Sequence, residues 1–466
     1  MNIIVFGIGY NFEKYKNHLP KTDKIIAFID NDEKSWGQSI NGIQVQKPQI
    51  IKALSYDYAV IMSTKYAYEM KAQLMDLSVP EERIISFNKY YGMISKRIIH
   101  DETVLDINKK NILIITYWMN YNGGSNAVIY AARALINMGY SVTIFIPGGN
   151  TDMINLLRKK GIRIEIASAI FSLDECDIQF FKLFDLVFIN TFELNDCIGK
   201  LAGYVPVIWW LHEPEFMIKT FSVDINSKSR IKCWDKVNIY AVSRNAQRAF
   251  NKFYNAKTKI MPYGIPDVFV KTKKMKDKEQ ITIAIIGTVS YNKAQDIFVQ
   301  AAEIYNESCC IPAEFWIIGR CIESDYCKKI ENSSKKIDNL IIKGELNREK
   351  MEAAYADIDV LVCASRQETM SITVTEAMMH QKICITTQNA GISDYINNGI
   401  NGYIYKQDNP VDLYELMRYV AENFEQLNEV GRNARKTYLD NFTMEKFSDR
   451  LADIVSKNYQ DNDHNF

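Results

Sequence analysis

The chain has 466 residues, 47% hydrophobic and 24% charged, which suits about three cores at roughly 150 residues each and excludes a small module or a disordered chain. Its 56 basic and 56 acidic side chains cancel, so no bulk field draws it to nucleic acid or anionic lipid. The opening residues MNIIVFGIGYNFEK lack a basic stretch and a small-residue cleavage site, and no apolar run approaches the ~18 residues of a spanning helix; the expectation is a soluble, cytoplasmic protein.

Strand-length apolar runs alternate with helix-period segments along the whole chain, the pattern of α/β units with parallel sheets. Residues 1–92 read as a small Rossmann-like block: strand IIVFG, a helix through Tyr15, strand KIIAFID, the strand-like GIQVQ, a helix around Ile50, strand YAVIMS, a helix rich in Met and Leu, and a closing RIISF. Residues 93–110, polar and of mixed charge, read as a linker. A second block, 111–275, opens with strand, Gly-Gly loop, helix and strand in NILIITYWMNYNGGSNAVIYAARALINMGYSVTIFI, and continues through IRIEIA, DLVFINT, VPVIWWLH and VNIYAVS. The lysine-dense stretch 269–280 reads as an interdomain connection. A third block, 276–442, alternates strands ITIAIIG, AEFWIIG, NLIIKG, DVLVCAS and KICITT with helices, and 443–466 reads as a C-terminal helix packing back on the second block. The second and third blocks are two doubly wound domains whose strand carboxyl ends face a cleft, where ligands of such sheets bind.

The nine cysteines are scattered through apolar and helical stretches, with no Cys-x-x-Cys. Cys321 and Cys327 lack a second pair or a histidine, so reduced, mostly buried thiols are expected and no zinc site.

Segment 365–405 carries the most chemistry. Glu368 follows strand DVLVCAS and Glu376 lies eight positions on, within the next helix. Between them the amides of Thr369, Met370 and Ser371 open a helix N-terminus, which suits an anionic or hydroxyl-rich ligand. Glu376 is placed to accept hydrogen bonds from a ribose diol, and Glu368 to orient a sugar or stabilise positive charge developing on it. Asp30 and Asp32 in IDNDEK, and Asp357 with Asp359, spell Asp-x-Asp; the first lies in the wrong block and the second at the amino end of its strand, so no metal is expected.

These motifs, in this order, resemble glycosyltransferase family 4, the retaining, nucleotide-sugar-dependent enzymes of GT-B fold, from about Asn111 to Ile454. Glu368 and Glu376 match the family's Glu-x7-Glu pair, the first beside the donor sugar and the second on the ribose. Gly391, with Asn398, Gly399, Asn401, Gly402 and Tyr403, matches the downstream glycine and its turn. Gly123 and Gly124 match the Gly-Gly loop that lets the backbone approach donor phosphate or acceptor. His212, in VIWWLHEPEF, matches the histidine facing the transferred sugar, as a positioning or electrostatic group. Ser243, Asn245, Tyr263, Gly264 and Ile265 match the strand end and hinge entry, and Lys293 the lysine beside the diphosphate.

The resemblance implies a hexosyltransferase taking a UDP- or GDP-sugar to a glycan, lipid-linked or protein-glycan acceptor in capsule, exopolysaccharide or cell-wall assembly, with no cofactor beyond the donor. Three positions depart from the pattern. Thr288 stands where an arginine is usual, leaving Arg320 or Arg366 as replacement cations; Ala294 replaces a glycine, and Asp394 a glutamate.

Residues 1–92 resemble the N-terminal Rossmann-like domain of sugar acyltransferases. Gly7 and Gly9 supply two glycines of a dinucleotide fingerprint, but Phe12 takes the third position. Nucleotide-sugar or NAD binding through Gly7, Gly9 and Asp30 competes with a docking or oligomerisation role, and a non-catalytic glycosyltransferase-like subunit is a further alternative. A face carrying Trp209, Trp210, Phe216 and Lys219 is weighed as a peripheral contact with the inner face of a membrane, against a core position for the tryptophans. Self-association stays open.

Overall fold

The structure, a computed structural model, describes residues 1–19, 23–95, 105–120, 122–224, 237–269 and 280–462. Half of the linker, 96–104, and nearly all of the lysine-dense connection lie outside the described residues.

Three sheets follow one another. The first holds β1 (Asn2–Phe6), β2 (Lys24–Ile29), β3 (Ser39–Ile40), β4 (Ile43–Gln46), β5 (Tyr58–Ile61) and β6 (Ile84–Ser86), in the order β3-β4-β2-β1-β5-β6. Its pairs are parallel except β3 with β4. The second holds β7 (Asn111–Ile115), β8 (Ser141–Ile146), β9 (Arg163–Ile166), β10 (Leu186–Ile189), β11 (Val207–Leu211), β12 (Asn238–Ala241) and β13 (Thr258–Ile260), in the order β13-β12-β11-β10-β7-β8-β9. The third holds β14 (Ile281–Ile286), β15 (Ala313–Ile318), β16 (Leu340–Gly344), β17 (Val360–Cys363), β18 (Ile383–Thr387) and β19 (Tyr403–Tyr405), all parallel, in the order β16-β15-β14-β17-β18-β19.

Central strands such as Ile112–Ile115, Leu186–Ile189 and Val360–Val362 are buried along their whole length. This is why they read as unbroken Val/Ile/Leu runs and not as alternating ones: both faces of a parallel sheet are covered by helices. In each sheet the strand order reverses beside the first strand of its block, between β1 and β5, β7 and β10, and β14 and β17. These are the switch points at which doubly wound sheets bind ligands, outside the strands' carboxyl ends.

The chain divides into two compact units, one of Met1–Tyr240, Ala249–Lys259 and Ala452–Phe466, the other of Ala241–Arg248 and Ile260–Leu451. The first unit contains the first and second sheets together. The last part of the C-terminal helix Met444–Asn462 belongs to it, with Asn238 Nδ2 donating to Asn458 Oδ1 at 2.8 Å and Tyr459 stacking on Tyr140.

Three details differ from the expectations, and the tryptophans take the core position of the two weighed for them. The helix around Ile50 is a 3-10 turn, Pro48–Ala53, started by its proline. A helix not foreseen, Phe87–Ile94, follows β6, capped by Ser86, whose Oγ accepts the Lys89 N–H. Cys321 and Cys327 are joined in a disulfide rather than being free thiols: Cys321 precedes and Cys327 lies in the first turns of helix Ser324–Ser334, which brings their Cα atoms to 6.1 Å. Trp209 and Trp210 are 0% exposed on β11, stacked against Phe192 and set edge-on to Phe188. The tryptophans therefore belong to the core and offer nothing to a lipid surface, while Lys219 is paired with Glu69.

Candidate functional site

The loops leaving β14 and β17 meet at the switch point of the third sheet. After β14 the chain makes a 3-10 turn, Tyr291–Lys293, and Ala294 then takes a left-handed conformation (φ 54°) to start helix Gln295–Ser308. Here the usual glycine has a physical reason, since an L-residue at that φ is strained. The turn aims the Lys293 ammonium at the Glu368 carboxylate, with which it forms an ion pair. Burial opposes the lysine's charge, but Glu368 and Cys363 outweigh it and hold the ammonium above its ordinary value. Ser365 Oγ lies 3.4 Å from the same carboxylate oxygen.

Glu368 sits in the loop beyond β17. Its carbonyl accepts the Gly391 N–H at 2.9 Å, and Asn245 Nδ2 donates to the neighbouring Asn389 carbonyl at 2.7 Å. Gly391 is fixed by space: a Cβ there would come within 1.7 Å of the Thr369 carbonyl oxygen and 2.7 Å of Ser243 Oγ. Thr369, Met370 and Ser371 lead into helix Ile372–Met379, where Ser371 Oγ caps the Val374 N–H. Tyr263 is buried beside this loop, its phenol pushed well up by burial and the Glu368 charge.

Glu376, on that helix, is 7% exposed. Arg348 donates to its Oε1 at 2.5 Å and the Tyr355 hydroxyl to its Oε2 at 2.8 Å. Both oxygens are thus engaged, one by a half-exposed arginine and one by a buried tyrosine, neither of which the sequence singled out.

Arg366 does not supply the missing cation. Its guanidinium is bound by Asp296 at 3.1 Å and Asp408 at 2.8 Å and lies over the Tyr291 ring, so its charge is spent on tying the two loops together. Arg320 is exposed at the end of β15. The downstream turn is structural, with Asn401 donating to the Tyr395 carbonyl and accepting from the Asn397 N–H.

In the other unit, Gly123 and Gly124 open helix Gly123–Asn137, capped by Asn122. A Cβ on Gly124 would meet only Asn122 Oδ1, at 3.5 Å, so the fold itself leaves room there. His212 follows β11, its ring edge-on to Trp210 at 4.3 Å and its backbone N–H donating to Glu213 Oε2. Burial lowers its pKa to about 3, and the ring is neutral at pH 7. In the unfolded chain it protonates near 6.5, so stability is complete above that pH and falls as pH drops toward 3. Melting at pH 7 and pH 5 should therefore show a smaller acid loss for His212→Asn than for the wild type; equal losses would contradict the assignment.

The remaining acids are committed to backbone. Asp30 accepts the Ile8 and Asp32 N–H groups, each at 2.8 Å, and so pins the loop after β1. Asp359 accepts the Thr282 N–H at the amino end of β14. Among the described residues no group of three His, Cys, Asp or Glu is placed to hold a metal, and no helix is long and apolar enough to cross a membrane.

Residues 269–437 match the family model "Glycosyl transferases group 1", and residues 1–85 match the model "C2185-like, N-terminal". Among curated proteins, trehalose synthase of Thermococcus litoralis is 25% identical over 194 residues, 41% of each chain. An uncharacterized glycosyltransferase of Methanocaldococcus jannaschii is 27% identical over 34% of this chain and 44% of its own. The chain thus spans about two fifths of the length of these relatives. Among solved structures, Anabaena Alr3699/HepE in complex with UDP and glucose superposes with a TM-score of 0.63 at 16% identity, over 75% of this chain and all of the other. A glycosyltransferase from Rickettsia africae gives 0.62 at 16% identity, over 77% and 100%. The fold is that of GT-B glycosyltransferases, preceded by a further Rossmann-like sheet.

Proposed function

We propose that the protein is a retaining glycosyltransferase that moves a hexose-type sugar from a UDP- or GDP-sugar, without a metal, to a glycan, lipid-linked or protein-glycan acceptor in surface polysaccharide assembly. The observation that carries this reading is the Lys293–Glu368 pair at the switch point of the third sheet, with Glu376 eight residues beyond Glu368 on the following helix. In this role Lys293 neutralises the diphosphate as it leaves, Glu368 faces the transferred sugar, and the Thr369–Ser371 amides and Glu376 hold the nucleotide. Gly123 and Gly124 approach donor phosphate or acceptor, and His212, neutral, orients the sugar. UDP is favoured over GDP because the Anabaena neighbour was solved with UDP and with UDP-glucose.

The test is calorimetric binding of UDP, GDP, ADP and NAD to the full chain and to Glu376→Ala. One nucleoside diphosphate should bind the wild type, and the variant should lose about tenfold in affinity through the lost ribose bonds. Binding of NAD alone, or equal affinity in the variant, would overturn the assignment.

A further inference from the structure

Within the first unit the loops at the switch points of the first and second sheets line one cavity. Met62–Thr64 after β5 and Asn88 after β6 come from the first sheet; Tyr117 after β7 and Glu193 after β10 come from the second. The enclosed space is about 250 Å³, below the ~300–1,000 Å³ of sites for drug-sized molecules, which leaves room for one small ring. The two sheets are bound to each other around it by Asn88 Nδ2 donating to Glu193 Oε1 at 2.7 Å, by the Ser86 N–H and hydroxyl donating to Asp224, and by the Lys89–Asp196 ion pair.

The lining has a definite chemistry. Aromatic rings form two walls: Phe87, stacked on Tyr15 at 5.2 Å, and Phe171, edge-on to Tyr117 at 6.0 Å. Between them lie an amide, a phenol and a carboxyl in mutual hydrogen-bond contact, Asn88, Tyr117 and Glu193. Burial holds the Glu193 carboxyl well above the ordinary carboxylate range, and the amide and the phenol beside it can each both donate and accept. This mixture of donors and acceptors between aromatic faces suits ring hydroxyls and apolar C–H faces; of the two lysines on the lining, Lys89 is paired with Asp196 and Lys14 lies over the Tyr15 ring.

We propose that this cavity is a second carbohydrate site, built jointly by the N-terminal block and the second sheet, that takes a single hydroxylated sugar ring. The ring is either the terminal unit of the acceptor or a free effector sugar; the first source rests on the glycosyltransferase reading, the second does not. A role for residues 1–92 follows directly, because half of the site is theirs.

The experiment is saturation-transfer NMR of the full chain with glucose, galactose, mannose and N-acetylglucosamine, run beside UDP and GDP binding. At least one sugar should show saturation at millimolar concentration. Asn88→Leu, which removes the central amide, should weaken it about tenfold with nucleotide affinity unchanged. If Asn88→Leu fails to fold by circular dichroism, Tyr117→Phe, which deletes one hydroxyl, takes its place. No saturation by any sugar, or saturation unaffected by the substitution, overturns the proposal. Sugar binding without nucleotide binding leaves it standing and sinks the glycosyltransferase reading instead. Labelled donor added with the bound sugar separates the sources: a disaccharide marks an acceptor, and a changed rate of donor hydrolysis without disaccharide marks an effector.

Discussion

Lys293→Ala should lower the turnover number about 10²- to 10³-fold, the range seen when one preorganised group facing developing charge is removed, with a much smaller change in donor KM. The asymmetry follows from when the charge appears. The intact nucleotide sugar already carries two phosphate charges that the Thr369–Ser371 amides can hold, while the extra charge arises only as the glycosidic bond breaks. The same substitution leaves Glu368, whose side chain is 11% exposed, without its counter-ion. Loss of melting temperature is therefore expected too, and Lys293→Ala/Glu368→Gln should recover stability without recovering turnover. Steady-state kinetics with a UDP-sugar, paired with thermal melting of the three proteins, decides it; wild-type turnover in the single variant would remove Lys293 from the reaction.

Gly391→Ala is expected to be as damaging for a steric reason. The added methyl would sit 1.7 Å from the Thr369 carbonyl oxygen, and the obstacle is backbone, which cannot rotate aside. The loop from Glu368 to Ser371 must move outward, carrying both the carboxylate and the helix N-terminus with it. Overpacking of this severity costs about 3 kcal/mol of stability, and a displacement of about 1 Å at the site is enough for a 10²-fold loss of rate. Gly124→Ala, where a methyl meets only Asn122 Oδ1 at 3.5 Å, should leave stability nearly unchanged. A Gly391→Ala protein with wild-type melting and activity would show that this packing is not required.

The parallel sheets were legible because strands buried on both faces must be continuous apolar runs, and almost every such run is a strand. That Glu368, Lys293 and the Thr369–Ser371 amides come together was legible because loops after strands of a doubly wound sheet converge at its carboxyl edge. The partners of Glu376 were not: Arg348 and Tyr355 come from another helix, and no local pattern reports a side-chain contact across 28 and 21 positions. Arg366 misled for the same reason, since its position near the site was readable but its two carboxylate partners were not. Helix Phe87–Ile94 escaped because FNKYYGMI is aromatic and contains a glycine, which local propensity ranks low; packing against the second sheet's loops overrides it. The Cys321–Cys327 bridge needed the turn between them, which spacing does not disclose.

On the proposed donor reading, the engagement of Glu376 by Arg348 and Tyr355 makes nucleotide binding an exchange and not a filling. A ribose hydroxyl arriving at Oε1 gives a bond from a neutral donor and displaces one from a guanidinium, roughly twice as strong. The gain at the ribose is then reduced by the bond displaced, and Arg348 keeps its second partner, Glu352. Selectivity between nucleotides would then depend in part on what Arg348, still paired with Glu352, meets once it leaves Glu376: a base or phosphate that re-engages the guanidinium recovers the lost charge-assisted bond.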